Sequence, residues 1–186
     1  GAPALTSAIE VFTGGAGLAA IRSDRLGRWV LSANLTASPG NLSERNDEDH
    51  FTESRPGARP RYLVGQFWAQ RQTVLAGTVI HVAKLSTQFA STRLVPSEQF
   101  SIGGASTVRG YEERILSGDA GVWFSQELQK PLQPTSIGKR WPRLESTVVA
   151  FWDYGRNVVR QPRPNEIRDS FLSSVGIGVR ASVGSY

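Results

Sequence analysis

The feature that most constrains this chain is a regular alternation of apolar and polar side chains over residues 29–38. One side of an extended backbone there would carry Trp29, Leu31, Ala33, Leu35 and Ala37, and the other would carry Val30, Ser32, Asn34, Thr36 and Ser38. Successive side chains of a β-strand point to opposite faces, whereas an amphipathic helix repeats about every 3.6 residues. The segment is therefore predicted to be a strand with one apolar face.

Similar stretches recur along the chain and predict about seven strands and no helix. The predicted strands cover residues 5–13, 29–38, 61–71, 77–90, 121–132, 145–155 and 171–183. Gly14-Gly15 would close the first strand, and residues 17–27 fit part of a hairpin. Polar segments over residues 39–60, 91–119 and 156–169 are predicted to be loops. Because the alternation resumes after the first of these loops, we expect one domain.

Two architectures account for strands with one apolar face. In a transmembrane β-barrel the apolar faces meet lipid, the opposite faces line a lumen, and short turns and long loops occupy opposite ends. In a soluble β-sandwich the alternation arises because one face of each sheet packs on a core. The polar faces here carry Ser, Gly, Gln and Asn more often than the dense charge of a solvent-facing sheet, which favours the barrel.

The residue types present narrow the possible chemistry. The 186 residues contain no cysteine, which excludes disulfides, thiol catalysis and thiolate metal sites within them. His50, expected in a loop, and His81, expected on a strand, have no carboxylate pattern around them, so no metal site is predicted. Asp153 and Glu127 could be paired catalytic carboxylates, but alternation places many such pairs on a barrel wall. We predict a protein that is not an enzyme, with no catalytic residue, cofactor or metal.

The positive charge of the chain raises the question of a nucleic-acid partner. The net charge is +5, but the basic residues are scattered and form no cluster with interleaved aromatic residues. We therefore predict no nucleic-acid partner. An apolar run of the roughly 18–20 residues that a membrane-spanning helix needs is also missing from the sequence.

A glycine-rich stretch, Phe100–Tyr111, interrupts the alternation. Gly103, Gly104 and Gly110 tolerate positive φ and close backbone approach, so they suggest a tightly folded loop. Arg109 is the only charged residue in the stretch, and its forked guanidinium suits a carboxylate partner. The stretch lacks the Gly-Lys-Ser/Thr ending of a phosphate-binding loop. The same residues also occur in ordinary turns with a solvated arginine, and the stretch alone does not decide between the two.

Several short motifs in the second half of the chain resemble one known family. They are Ser97–Gly104, Thr107–Tyr111, Leu116–Gly121, Glu127-Leu128 and Pro131-Leu132. In this order they are similar to the C-terminal barrel of the two-partner-secretion (TpsB-type) outer-membrane transporters, also called haemolysin secretion/activation proteins. Phe151–Gly155 resembles the Phe-x-Asp-x-Gly signature of the wider polypeptide-transporting superfamily, which also contains barrel-assembly proteins. The detailed resemblance covers residues 97–155.

The resemblance implies a sixteen-stranded barrel, preceded by periplasmic POTRA domains, with one long loop folded back into the lumen. On this chain the loop would span about residues 91–119, and its motif would comprise Gly103, Gly104, Val108, Arg109, Gly110 and Tyr111. Its partners on the barrel wall would be Phe151, Asp153 and Gly155, with Arg109 meeting Asp153. The alternation independently places Phe151 and Asp153 on the side of their strand that faces away from lipid.

The function implied by the resemblance is export of a large, unfolded exoprotein, such as a haemolysin or adhesin, across the bacterial outer membrane. The expected partners are that exoprotein and outer-membrane lipid. Residues 1–186, expected to contain neither POTRA domains nor a signal peptide, would be the C-terminal part of the barrel domain. Two alternatives remain open: a barrel-assembly factor of the same superfamily, and a soluble β-sandwich binding module.

Overall fold

The computed structural model of the chain describes residues 9–75, 77–136 and 143–183, most of which lie in one antiparallel β-sheet. In chain order the elements are β1 (Gly14–Ser23), β2 (Gly27–Ser38), α1 (Glu48–Ser54), β3 (Tyr62–Val74), β4 (Ile80–Ala90), a 3₁₀ turn (Pro96–Glu98), β5 (Phe100–Ile102), β6 (Leu116–Gly118), β7 (Ala120–Pro131), β8 (Thr135–Ser136), β9 (Arg143–Val158) and β10 (Asp169–Val183). The sheet order is β1-β2-β3-β4-β7-β9-β10, with the short β8 paired to β9, and β5 pairs with β6 in a separate two-stranded sheet. In the described ranges β1 and β10 each keep a free edge, so the sheet is not closed.

The strand register divides the side chains into two faces. Asp153 lies opposite Ser125 on one side and opposite Ser174 on the other, and Ser125 lies opposite Lys84. We call the face that these four residues share the inner face, and the opposite one the outer face. The predicted sidedness of β9, with Phe151 and Asp153 together and away from Trp152, agrees with this register.

The outer face is apolar and exposed. The large apolar side chains exposed there are Leu18, Trp29, Leu35, Leu63, Phe67, Phe89, Leu128, Val148, Trp152, Phe171, Val175, Ile177, Val179 and Val183. Soluble monomers rarely expose contiguous apolar surface on this scale, whereas the lipid-facing wall of a barrel must do so. In the described ranges no second sheet covers this face, as a β-sandwich would require. The prediction of an all-β antiparallel barrel wall is confirmed, and the β-sandwich alternative is wrong.

The first predicted strand is wrong. Ile9–Thr13 form no strand, residues 5–8 lie outside the described residues, and Gly14 begins β1 instead of closing a strand. β1 pairs along its whole length with β2, and the Asp24 carboxylate accepts hydrogen bonds from Leu26 N (2.9 Å) and Gly27 N (3.0 Å) in the turn between them. The sequence of β1 is mostly glycine and alanine, which carry little hydrophobic periodicity.

The prediction of no helix is also wrong, because α1 lies within residues 39–60. Asp47 caps its N-terminus by accepting a hydrogen bond from His50 N (2.9 Å), and Glu48 and Asp49 fall in its first turn, where the helix dipole favours acidic side chains. His50 is therefore helical and not in a loop. Phe51 is fully buried against a cluster formed by Ala58, Tyr62, Val64, Ala90, Leu94 and Val95.

The connections between strands differ at the two ends of the sheet. Residues 39–61, 91–119 and 159–168 connect strands at one end, which we call the long-loop rim. The opposite end carries the turn at residues 24–26 and the connection between β3 and β4. None of the helices among the described residues has the length and apolar character needed to cross a membrane.

Candidate functional site

The candidate site is built around residues 103–115, which we call the docked loop. It connects β5 to β6, which form a hairpin in which Phe100 pairs with Gly118 and Ile102 with Leu116. Gly103 and Gly104 have φ values of +110° and +95°, a region that side chains with a Cβ rarely adopt. A Cβ on Gly103 would lie 2.4 Å from the Glu112 carbonyl oxygen, so the backbone can fold back on itself only at glycine.

Internal hydrogen bonds give the docked loop a defined shape. Thr107 Oγ1 donates to the Gly103 carbonyl oxygen (2.8 Å) and accepts from Gly103 N (2.9 Å). Glu113 Oε1 accepts from Ala105 N at 2.9 Å. These side chains satisfy backbone groups that would otherwise need water, so the shape of the loop is held by bonds within the loop itself.

Apolar contacts seat the docked loop against the inner face. Ile102 and Val108 are fully buried and pack with Trp123 of β7. The indole Nε1 of Trp123 donates to the Thr107 carbonyl oxygen. A Cβ at Gly155 of β9 would lie 2.8 Å from Ile102 Cδ1 and 3.0 Å from Val108 Cγ2. The glycine of the Phe-x-Asp-x-Gly motif thus provides the space into which the loop packs.

The structure brings Arg109 and Asp153 together in a forked ion pair. Arg109 Nε lies 2.6 Å from Asp153 Oδ2, and Arg109 Nη2 lies 2.7 Å from Asp153 Oδ1. The backbone N–H of Arg109 also donates to Asp153 Oδ2 at 3.2 Å. Arg109 Cζ lies 3.5 Å from the ring centroid of Phe151, which adds a cation–π contact. The Asp153 side chain is fully buried, and in such a site charge-assisted hydrogen bonds are strong.

A second carboxylate on the inner face shares Arg109. Glu127 Oε2 accepts a hydrogen bond from Arg109 Nη1 at 2.6 Å. The Glu127 carboxylate also accepts hydrogen bonds from both Nη groups of Arg180, at 2.7 and 2.9 Å. Ser125 Oγ donates to Asp153 Oδ1 at 2.7 Å. Hydrogen bonds to Asp153 and then to Glu127 raise the pKa of Arg109 above its ordinary value, so the guanidinium stays charged. Two arginines therefore balance two carboxylates.

Tyr111 extends the contact to the last strand. Its hydroxyl donates to the Ser173 carbonyl oxygen of β10 at 3.0 Å. Gly110 supplies the positive φ (+89°) that turns the chain between Arg109 and Tyr111. The residues predicted for the loop motif thus lie within or beside a single contact with β7, β9 and β10.

Sequence reasoning assigned no role in this contact to Ser125, Trp123 or Arg180. The signal for them was the period of two, because Ser125, Trp123 and Glu127 alternate along β7 on the same face as Asp153 on the neighbouring strand. The pairing partner of each strand is not visible in the alternation, so Arg180 could not be assigned. Within residues 9–75, 77–136 and 143–183, no three histidine or carboxylate side chains are grouped closely enough to hold a metal ion.

Comparison with known proteins gives two matches. A family model described as haemolysin secretion/activation protein ShlB/FhaC/HecB matches residues 13–181. The chain is also similar to the outer membrane transporter CdiB of Dickeya dadantii (strain 3937), with 35% identity over 54 residues. That segment is 29% of this chain and 10% of the Dickeya protein, so the match spans about a tenth of the length of this curated relative.

Proposed function

This chain belongs to the family of haemolysin secretion/activation proteins ShlB/FhaC/HecB, and from this premise we propose that it forms part of a transporter that exports a large exoprotein. The family is one of two-partner-secretion transporters, and the chain is a protein of the bacterial outer membrane. We assign residues 1–186 to the C-terminal part of the barrel domain, with residues 91–119 as its lumenal loop. The exposed apolar outer face supports contact with outer-membrane lipid.

The exported partner that we propose is an unfolded polypeptide such as a haemolysin or an adhesin. It would pass along the inner face, where hydrogen-bonding groups such as those of Gln66, Gln70 and Ser86 lie on β3 and β4. The proposed export uses no nucleotide or cofactor. The family description also includes activation of the exported protein.

The observation that carries the proposal is the docking of Arg109 between Asp153 and Glu127. The docked loop lies against part of the inner face of β7, β9 and β10, so a polypeptide moving along that face must displace the loop or pass beside it. Arg109 would set the position of the loop without performing chemistry. The alternating strands and the ion pair together are consistent with a barrel wall whose inner face is opened and closed by the docked loop.

The test is Arg109→Ala in the complete transporter, with secretion of the cognate exoprotein measured in the culture medium. We expect secretion to fall at least about tenfold, because removing one partner of a buried ion pair leaves the other without compensation. Arg109→Lys keeps the charge but loses the fork, and is expected to restore only part of the activity. The amount of folded transporter in the outer membrane is measured in parallel.

Arg71→Ala is a matched control. Arg71 also makes a forked pair, with Asp24 (2.7 and 2.9 Å), and also lies over an aromatic ring, that of Trp29, but it does not touch the docked loop. We expect secretion to be retained in this variant. Normal secretion in Arg109→Ala, or an equal loss in both variants, would show that docking has no specific role in export.

A further inference from the structure

We infer that Asp119 is a positioning residue that fastens the base of the docked loop to the other two long loops, and so couples loop docking to closure of the long-loop rim. The inference rests on the proposed transport function. Asp119 is the residue between β6, the second strand of the loop's hairpin, and β7 of the barrel wall. Its side chain is fully buried although it carries a carboxylate.

The Asp119 carboxylate has partners in all three long loops. Oδ1 accepts from Leu94 N at 2.9 Å, at the start of the 91–119 segment. Oδ2 accepts from Arg160 N at 2.7 Å, in the loop between β9 and β10. The guanidinium of Arg55, which follows α1, forms an ion pair with the same carboxylate. One buried side chain therefore links three segments that are distant in sequence.

Arg55 strengthens the link by contacting two of these segments. Its Nη1 donates to the Leu94 carbonyl oxygen at 2.6 Å as well as to Asp119. Beside this cluster, Phe51, Leu94 and Val95 are fully buried together, so the 39–61 segment and the start of the 91–119 segment also share an apolar contact. Removing the carboxylate would leave buried donors without an acceptor, which costs more than losing an exposed hydrogen bond.

The backbone around Asp119 transmits this link to the docked loop. Asp119 N donates to the Val158 carbonyl oxygen at 3.0 Å, which ties the residue to β9. Asn157 Nδ2 donates to the Phe100 carbonyl oxygen at 2.9 Å, in the strand that pairs with β6. The hairpin that begins at this point leads directly to Gly103 and then to Arg109. Movement of the rim loops away from Asp119 would therefore release the base of the docked loop.

The experiment measures how quickly the loop tip can be reached from outside the cell. Ser106 is exposed on the docked loop but borders a cavity on the inner face with Lys84, Glu127 and Arg180. In the transporter that we propose, a reagent from outside the cell must pass the long-loop rim to reach it. The 186 residues contain no cysteine. Ser106→Cys is introduced into the complete transporter, freed of other cysteines, and a membrane-impermeant maleimide is added to intact cells. Asn165→Cys, in the exposed loop between β9 and β10, gives the rate for an open position.

We expect Ser106→Cys to react much more slowly than Asn165→Cys, and Asp119→Asn to raise the Ser106→Cys rate about tenfold, equivalent to about 1.4 kcal/mol. Arg55→Gln lies outside the barrel strands and is expected to raise the rate in the same direction. Asp24→Asn removes a more exposed arginine–aspartate pair, with Arg71, at the opposite end of the sheet and is expected to leave the rate unchanged.

Three results would overturn the inference: equal rates at positions 106 and 165 in the parent, an unchanged rate in both Asp119→Asn and Arg55→Gln, or an equal rise in Asp24→Asn. Folding is checked for each variant by heat-dependent migration of the barrel on gels. If Asp119→Asn fails to assemble, Arg55→Gln decides. Failure of the transport proposal is separate, because secretion by Arg109→Ala tests it and the labelling rate does not depend on an exported partner.

Discussion

The two carboxylates that hold Arg109 depend on it to different degrees. Glu127 keeps both Nη groups of Arg180 when Arg109 leaves. Among the described residues, Asp153 has only the Ser125 hydroxyl as a further side-chain donor, and it is completely buried. An unpaired buried carboxylate is costly, whereas one that retains a guanidinium is not. Of the two ionic contacts that hold Arg109, the one with Asp153 is therefore expected to contribute more to the free energy of docking.

Substitution of the two carboxylates should show this difference. We expect Asp153→Asn to weaken docking by about 3–5 kcal/mol, and Glu127→Gln by no more than about 1.5 kcal/mol. Hydrogen exchange of the Arg109 amide, which donates to Asp153 Oδ2, reports the docked state directly. Equal loss of protection in the two variants would contradict the assignment.

Gly155 offers a steric test of docking that changes no charge. A Cβ there would lie 2.8 Å from Ile102 Cδ1, so Gly155→Ala should destabilise the docked loop by about 1–3 kcal/mol through overpacking. Gly178→Ala is the control, because Gly178 also lies on the inner face and its added Cβ would meet nothing within 4 Å among the described residues. Thermal unfolding in detergent and hydrogen exchange of residues 103–115 are the measurements. A comparable effect of the two substitutions would point to the strand backbone and not to the loop contact.

At the scale of elements, the rim loops are joined by a second ionic contact, which is lost at acidic pH. Arg93, almost fully buried at the start of the 91–119 segment, donates from Nη1 to Glu166 Oε2 at 2.6 Å and to the Gln161 carbonyl oxygen at 3.2 Å. The hydrogen bonds from Arg93 and then from Arg163 N lower the pKa of Glu166 from 4.5 to about 2. The contact joins the loop between β9 and β10 to the base of the docked loop.

The direction of that pKa shift predicts how the loop responds to pH. Because the folded-state pKa is lowered, the stabilisation by Glu166 is fully present above pH 4.5 and is lost as the pH falls towards about 2. Protection of residues 159–168 from hydrogen exchange or proteolysis should therefore decline only below about pH 4.5. Glu166→Gln should remove most of this acid-dependent decline; an unchanged decline in that variant would exclude Glu166 as its source.

The sequence allowed the long strands to be predicted because lipid and lumen impose opposite demands on alternate side chains. The strands that carry strong alternation, such as β2, β9 and β10, were predicted to within a few residues. β1 was expected only as part of a hairpin over residues 17–27, because its glycines and alanines carry little of this signal, and its position is fixed by pairing with β2. α1 was missed because a polar segment of seven residues with an acidic first turn resembles a loop. The helix is anchored by burial of Phe51, and the sequence does not show that contact.

The site was only partly predictable for a similar reason. Arg109 and Asp153 each lie within a recognisable sequence motif, so the ion pair between them was expected. Glu127 was expected on the same wall but was not expected to share Arg109. The partners that Asp119 finds in three loops depend on how those loops fold over one another, and neither alternation nor a motif encodes that arrangement.

At the scale of the whole molecule, the two faces of one sheet meet different surroundings. The outer face is apolar and exposed, and the inner face holds a balanced group of two arginines and two carboxylates. Within the part of the chain that the structure describes, β1 and β10 have a neighbouring strand on one side only, and in lipid such an edge would leave backbone groups unpaired.

The docked loop also bears on the permeability of the cell envelope. A channel wide enough for a polypeptide would admit detergents, antibiotics and other small solutes whenever no substrate occupied it. In the transporter that we propose, part of the inner face of β7, β9 and β10 is covered between substrates by the protein's own chain, held by Val108, Arg109 and Tyr111. The same contacts that must yield during export thus form part of the barrier that protects the bacterium at rest.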